Sequence, residues 1–345
     1  MYRIKRIEAI FAVIFVLVYV SLTFGTASAM LSSYLPLTMT DGKLSEPGLK
    51  KNIVLEDGSV VSDTSMNAGD TVNFLLESNV PENLIDYLPP HLSSPGRYDL
   101  IFYDKMDAEL IFHPESLCVR VNSHELSENE YKYEFQVIDD YSLIRIEIEL
   151  VELFTEHHYF EYEDFGIAPI TLEYSATLTE TVTSGAYHNA AWLEYENNIT
   201  PEQVTTINTY GIEIHKKTND VYPSALAGAE FEVYRIVNGR NEVLFENLVT
   251  DANGIIRIDG LEAGVYYIKE TKAPDGFVMN SEPFEIILDE SLDGQLAIVG
   301  ITNARIAPPV YTGGASRYII GCTFVFAGIA AFIYMLSKKR SIPEG

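Results

Sequence analysis

Along most of the chain apolar and polar residues alternate one for one, and the alternation breaks every ten or so residues at turn-forming positions. Period two is the spacing of a strand with one buried and one wet face, because successive side chains of an extended backbone point to opposite sides. In the clearest case Ile144, Ile146, Ile148 and Leu150 share one face, and Arg145, Glu147 and Glu149 share the other. Such runs predict strands at 71–76, 99–103, 116–121, 131–137, 142–150 and 170–178, then at 212–216, 229–236, 242–249, 254–258, 265–270, 284–288 and 295–303. Asn238-Gly239 and Asn253-Gly254 read as two-residue hairpin turns whose central positions want positive φ. With long amphipathic helical patterns missing and Tyr and Phe abundant, the chain is expected to be all-β, two β-sandwiches in tandem.

Two apolar stretches depart from this pattern. Residues 7–24 follow Arg3, Lys5 and Arg6 and lead into Ala27-Ser28-Ala29, the form of an export signal helix cleaved after Ala29. Residues 318–336 are long enough to span a bilayer, and Lys338, Lys339 and Arg340 behind them place the C-terminus inside. The expected organisation is therefore a signal peptide (1–29), an N-terminal extension (30–48), a first sandwich (49–205), a second (210–305), a linker (306–317), a transmembrane helix (318–337) and a basic cytoplasmic tail (338–345). A short linker is expected near 200–210.

Charge narrows the partners. The chain holds 23 basic and 50 acidic residues, and the two ends take seven of the basic ones, so the exported body is strongly acidic. Such a surface repels nucleic acid and anionic lipid, which removes both as expected partners. Of the two cysteines, Cys322 lies in the apolar C-terminal stretch, which leaves Cys118 alone in the body and no intramolecular disulfide to brace it. No nucleophile–base, zinc or phosphate-loop pattern is present, so neither a cofactor, a metal nor enzymatic turnover is expected. Glu156-His157-His158 is read as strand, where neighbours face opposite sides and chelate poorly.

Polar residues on the inward register carry the chemistry. Ile212 and Ile214 put Lys216 inward, Tyr266 and Ile268 do so for Glu270, and Val299 and Ile301 for Asn303. In the first domain Leu49, Ile53 and Leu55 align with Lys51, Leu100 and Phe102 with Asp104, and Leu193 and Tyr195 with Asn197. Parity thus selects Lys51 over Lys50 and Asn197 over Asn198. Unpaired, such groups are costly to bury. Burial lowers an amine pKa and raises a carboxyl pKa, so a neutral amine and a protonated acid can coexist. The acid polarises the amide carbonyl, the amine attacks it, and ammonia leaves: the product is a neutral Lys-Asn isopeptide.

Ile212-x-Ile214-x-Lys216, Leu226-Ala227-Gly228-Ala229-Glu230-Phe231 and Gly264-Val265-Tyr266-Tyr267-Ile268-Lys269-Glu270-Thr271-Lys272-Ala273-Pro274-Asp275-Gly276-Phe277 resemble the B-type repeat of collagen adhesins and pilins, a prealbumin-like sandwich. That resemblance implies Lys216 and Asn303 as a bonded pair and Glu270 as the catalytic acid. Gly69-Asp70-Thr71-Val72, residues 98–104, Tyr174-Ser175-Ala176-Thr177-Leu178 and Tyr195-Glu196-Asn197-Asn198 resemble the Ig-like isopeptide-forming shaft domain of fimbrial proteins. By that resemblance Asp104 is the acid for a Lys51–Asn197 bond. Ala307-Pro308-Pro309-Val310-Tyr311-Thr312-Gly313-Gly314, the apolar span and the basic stop resemble a sortase sorting signal, with Pro309-Val310-Tyr311 in place of the usual Leu-Pro-x. This implies cleavage between Thr312 and Gly313 and transfer of Thr312 to peptidoglycan or to a pilin lysine. Shaft subunits of the family carry a Tyr-Pro-Lys motif, whereas Tyr222-Pro223-Ser224 stands here, so polymerisation by that lysine is not expected. The resemblances imply a wall-anchored structural or adhesive protein of the Gram-positive surface, an accessory pilin or stalk. Its expected partners are sortase, peptidoglycan or other pilin subunits, and a host-surface ligand; the alternatives are a polymerising shaft pilin and a cell-surface hydrolase.

Overall fold

The computed structural model describes residues 47–89 and 91–307. The first domain comprises β1 (Lys50–Val54), β2 (Val60–Val61), β3 (Asp63–Ser65), β4 (Thr71–Asn79), β5 (Asp99–Asp107), β6 (Leu110–Val121), β7 (His124–Glu125), β8 (Lys132–Ile138), β9 (Tyr141–Glu149), β10 (Pro169–Leu178), β11 (Gly185–Tyr195) and β12 (Asn198–Ile199). The second uses β13 (Gln203–Thr218), β14 (Glu230–Val237), β15 (Arg240–Val249), β16 (Ile255–Leu261), β17 (Gly264–Lys272), β18 (Phe284–Leu288) and β19 (Leu296–Asn303).

In the first domain a sheet ordered β2-β1-β4-β10-β6-β7 packs on one ordered β13-β11-β5-β9-β8. Their inner faces supply one core, in which Phe74, Leu76 and Leu172 meet Phe102, Ile146 and Leu193. The second domain packs β16-β13-β19 on β15-β14-β17-β18 around Ile212, Phe231, Tyr266, Ile268 and Ile301. The architecture is all-β, tandem sandwiches, as the alternation requires. Among the described residues no helix is long and apolar enough to cross a membrane. The signal segment, the apolar span and Thr312-Gly313 all lie outside the described residues.

Three local expectations need correction. The stretch taken as a linker is strand: β13 pairs antiparallel with β11 through Gln203–Thr209 and then, without a break, antiparallel with β16 and parallel with β19. Threonines made it look solvated, yet Thr205 and Thr209 are buried and their hydroxyls donate to the carbonyls of Asn189 and Thr183. Of the two hairpin turns, Asn238 and Gly239 both take positive φ, but in the other only Gly254 does. There the Asp251 carboxylate organises the turn by accepting from the amides of Asn253 and Ile255. Finally, Glu156-His157 sits in a helical turn, Leu153–His157, closed by His158 at φ 54°, rather than on a strand.

Candidate functional site

In the second domain, Lys216 lies near the end of β13, Asn303 ends β19 beside it, and Glu270 projects from β17 in the facing sheet. All three are at most 1% exposed. The backbone fixes the lysine: its amide donates to the Gly254 carbonyl and its carbonyl accepts from Leu226. A side chain at Gly254 would collide with that same lysine carbonyl, so the positive φ and the close approach both call for glycine.

The Lys216 ammonium donates to Asn303 Oδ1 and stands 3.3 Å from Glu270 Oε1. Asn303 Nδ2 donates to that same Oε1 at 2.6 Å, and Glu270 Oε2 accepts from the Asn280 amide at 2.8 Å. One carboxylate oxygen therefore touches both the amine and the amide nitrogen. This differs from the expectation that the acid faces the amide carbonyl: it sits on the nitrogen that would leave. The Phe231 ring lies 5.6 Å from Nζ and helps exclude water. Burial pushes the Lys216 pKa below the usual lysine value, against the pull of Glu270. A lysine that burial makes give up its proton more readily than a surface one, set against an amide whose nitrogen rests on a carboxylate, can expel ammonia and form an amide.

A second buried cluster lies between the sheets of the first domain. Lys51 of β1 and Asp104 of β5 form a buried ion pair, and Lys50 is exposed. Asn197 does not join them. Strand β11 ends at Tyr195, Glu196 takes φ 51°, and Asn197 lies exposed in the turn beyond. The inward parity of Leu193 and Tyr195 is real, but the strand stops before it reaches Asn197. Read in the other direction, the same parity arrives at Asn189, which is fully buried.

Two residues that the sequence reading missed complete this cluster. The Tyr174 hydroxyl on β10 accepts from Lys51 Nζ at 3.0 Å and from Asn189 Nδ2 at 2.7 Å, and donates to Asp104 Oδ2 at 2.7 Å. The signals were present: Asn189 and Ala191 continue the inward face of Leu193, and Tyr174 falls in step with Leu172 and Ala176. The Lys51 amine also lies 5.1 Å from the Phe74 ring, and burial drives its pKa down against the opposing charge of Asp104. Outside these clusters, Tyr222 is exposed on the loop before Ser224.

Residues 211–303 match the SpaA prealbumin-like fold domain. Over 91 residues the chain is 36% identical to the trypsin-resistant surface T6 protein of Streptococcus pyogenes serotype M6. That match covers 26% of this chain and only 16% of the relative. Among solved structures, the group B streptococcus pilus 2b backbone protein aligns over 70% of this chain and 95% of its own, at 21% identity and TM-score 0.52. The Corynebacterium diphtheriae major pilin SpaA aligns over 76% and 70%, at 15% identity and TM-score 0.53. These likenesses extend the shared fold across both sandwiches, and the second of them, which holds Lys216, Glu270 and Asn303, is the part that matches the SpaA prealbumin-like fold domain.

Proposed function

We propose that the chain is a structural subunit of a Gram-positive surface fibre, an accessory pilin or stalk, braced by an isopeptide bond in each sandwich. The observation that carries this reading is the Lys216–Glu270–Asn303 cluster, whose geometry suits condensation and whose three side chains are all buried. The first domain adds a bond between Lys51 and Asn189, with Asp104 as its acid. Each condensation removes one ammonia, so no turnover follows and the chemistry is spent on the protein itself. The solved C. diphtheriae pilin is described as a modular assembly with stabilizing isopeptide bonds, which supports the same use here. Sortase would join Thr312 to peptidoglycan or to another pilin, holding the acidic body at the cell surface. Intact mass tests the reading: the purified chain should weigh less than its residues by about 17 Da per bond, two bonds in all. Lys216→Ala and Lys51→Ala should each restore one loss. A full residue mass in the unaltered chain would overturn the proposal.

A further inference from the structure

The two clusters use different atoms for the same task. In the second domain Glu270 Oε1 alone spans the lysine Nζ and the asparagine Nδ2. Asp104 is one methylene shorter; it pairs with Lys51, and no hydrogen bond joins it to Asn189. The atom that touches both nitrogens here is the Tyr174 oxygen, 3.0 Å from Lys51 Nζ and 2.7 Å from Asn189 Nδ2, with its own proton on Asp104 Oδ2 at 2.7 Å. We infer that Tyr174 is a catalytic residue of the first-domain crosslink, relaying a proton between the attacking amine, Asp104 and the departing amide nitrogen.

The inference rests on the crosslinking reading above, and the steps balance. In its neutral form the Lys51 amine puts its lone pair into a bond to Asn189 Cγ, and the carbonyl π electrons move to Oδ1, from which they return when Nδ2 leaves. The Nζ proton then passes to the Tyr174 oxygen as the phenol proton passes to Asp104. In the return step Asp104 gives the proton back to the phenol while the phenol protonates Nδ2, which departs as ammonia with the electrons of the broken C–N bond. Tyr174 and Asp104 end as they began.

Further observations fit a relay. All three hydrogen-bonding positions of the hydroxyl are occupied, one as donor and two as acceptor, so its orientation is fixed. Asp104 Oδ1 and Asn189 Oδ1 are buried acceptors with no partner, so the Asp104 carboxylate keeps an open position for the relayed proton. The β10–β6 register also breaks between Glu173 and Ser175, and such irregularities re-aim side chains beside active sites. Burial, and then the charge of Asp104, hold the phenol protonated well above its usual range, as a relay that starts from the neutral hydroxyl requires.

The test follows newly synthesised full-length chains by quenched peptide mass mapping, scoring the linked 51–189 and 216–303 peptides separately. Tyr174→Phe keeps the ring that packs on Phe74 and Phe112. It should slow the 51–189 link roughly 100-fold and leave the 216–303 link at its normal rate. Equal 51–189 rates in the two chains would overturn the relay. If the unaltered chain never forms the 51–189 peptide, the crosslink and the relay fail together, a result distinct from a link that forms but ignores Tyr174. A measurement on the unaltered chain guards against misfolding of the variant: first-domain linking in mixed light and heavy water should depend on deuterium fraction along a curve, as two moving protons demand. A straight line would overturn the relay.

Discussion

At Lys51 and Lys216 the same two forces oppose each other, and burial prevails over the neighbouring carboxylate in both. An amine whose folded pKa lies below 10.5 keeps its lone pair over a wider pH range than a surface lysine does. Linking should therefore slow as pH falls through that folded pKa and level off above it, with both half-points below 10.5. Time-resolved peptide mass across a pH series measures this, and a half-point at the surface-lysine value would contradict it. Stability carries the matching sign in Asn303→Ala, which cannot link. Its unfolded lysine binds a proton that the folded one lacks, so stability should climb with pH from the folded pKa up to 10.5 and stay flat below that window. Urea melts at several pH values check the slope. For Glu270→Ala, which removes the contact to the leaving nitrogen, the second-domain link should slow by roughly 100-fold or more while the first-domain link proceeds. At this scale the second cluster was legible because Lys216, Glu270 and Asn303 all lie on regular strands, where parity decides orientation. Asn197 failed because parity has no meaning past a turn, and Asn197-Asn198 is itself a turn composition.

Strand β13 couples the domains. Its first half belongs to one sandwich and its second half to the other, and every residue from Gln203 to Thr218 has a ladder partner, Gly211 included, which pairs with Leu296 where the β16 register shifts. The joint is reinforced from the side. The Ala68 amide donates to the Gly260 carbonyl, Asn67 Oδ1 accepts from the Glu262 amide, and Ser65 Oγ accepts from the Ala263 amide. Gly260 is the tight point: φ is 73° and a Cβ there would stand 2.7 Å from the Ala68 Cβ. Gly260→Ala should therefore cost about 1–3 kcal/mol, and faster hydrogen exchange at the Ala68 amide should show the loss local to the joint. Protection at Ala68 equal to that of the unaltered chain would mean the joint bears no strain. The strand was misread because Thr205, Thr206 and Thr209 count as polar in a binary pattern. Their β-branched shape favours strand, and the buried hydroxyls are satisfied locally. The period-two signal from Thr205 through Ile207 to Thr209 is present once threonine is scored by shape rather than polarity.

For the whole molecule the two bonds would define where tension runs. Force entering ahead of β1 passes from Lys51 into Asn189, follows β11 and β13 to Lys216, crosses to Asn303 and leaves beyond β19. Most of both sandwiches then hangs off the loaded path. Lys216 and Asn303 are 87 residues apart, so extending the loop between them would add roughly 300 Å, a lengthening the bond forbids. Each closure should also stabilise its fold by roughly 4 to 5 kcal/mol, by analogy with disulfide loops of that size. One element stays exposed to load. Asn189 pairs with Thr205 across the β11–β13 hairpin, and pulling between Asn189 and Lys216 opens that hairpin from its end, one rung at a time, while also stripping residues 189–195 from β5. Asn189 and Thr205 are 16 apart, so opening the hairpin between them releases roughly 50 Å. Single-molecule pulling on the unaltered chain should therefore show a short extension of that size and no 300 Å step. Lys216→Ala should gain the long step and keep the short one, because its first-domain bond is intact. A long step in the unaltered chain would show that tension does not travel through the amides.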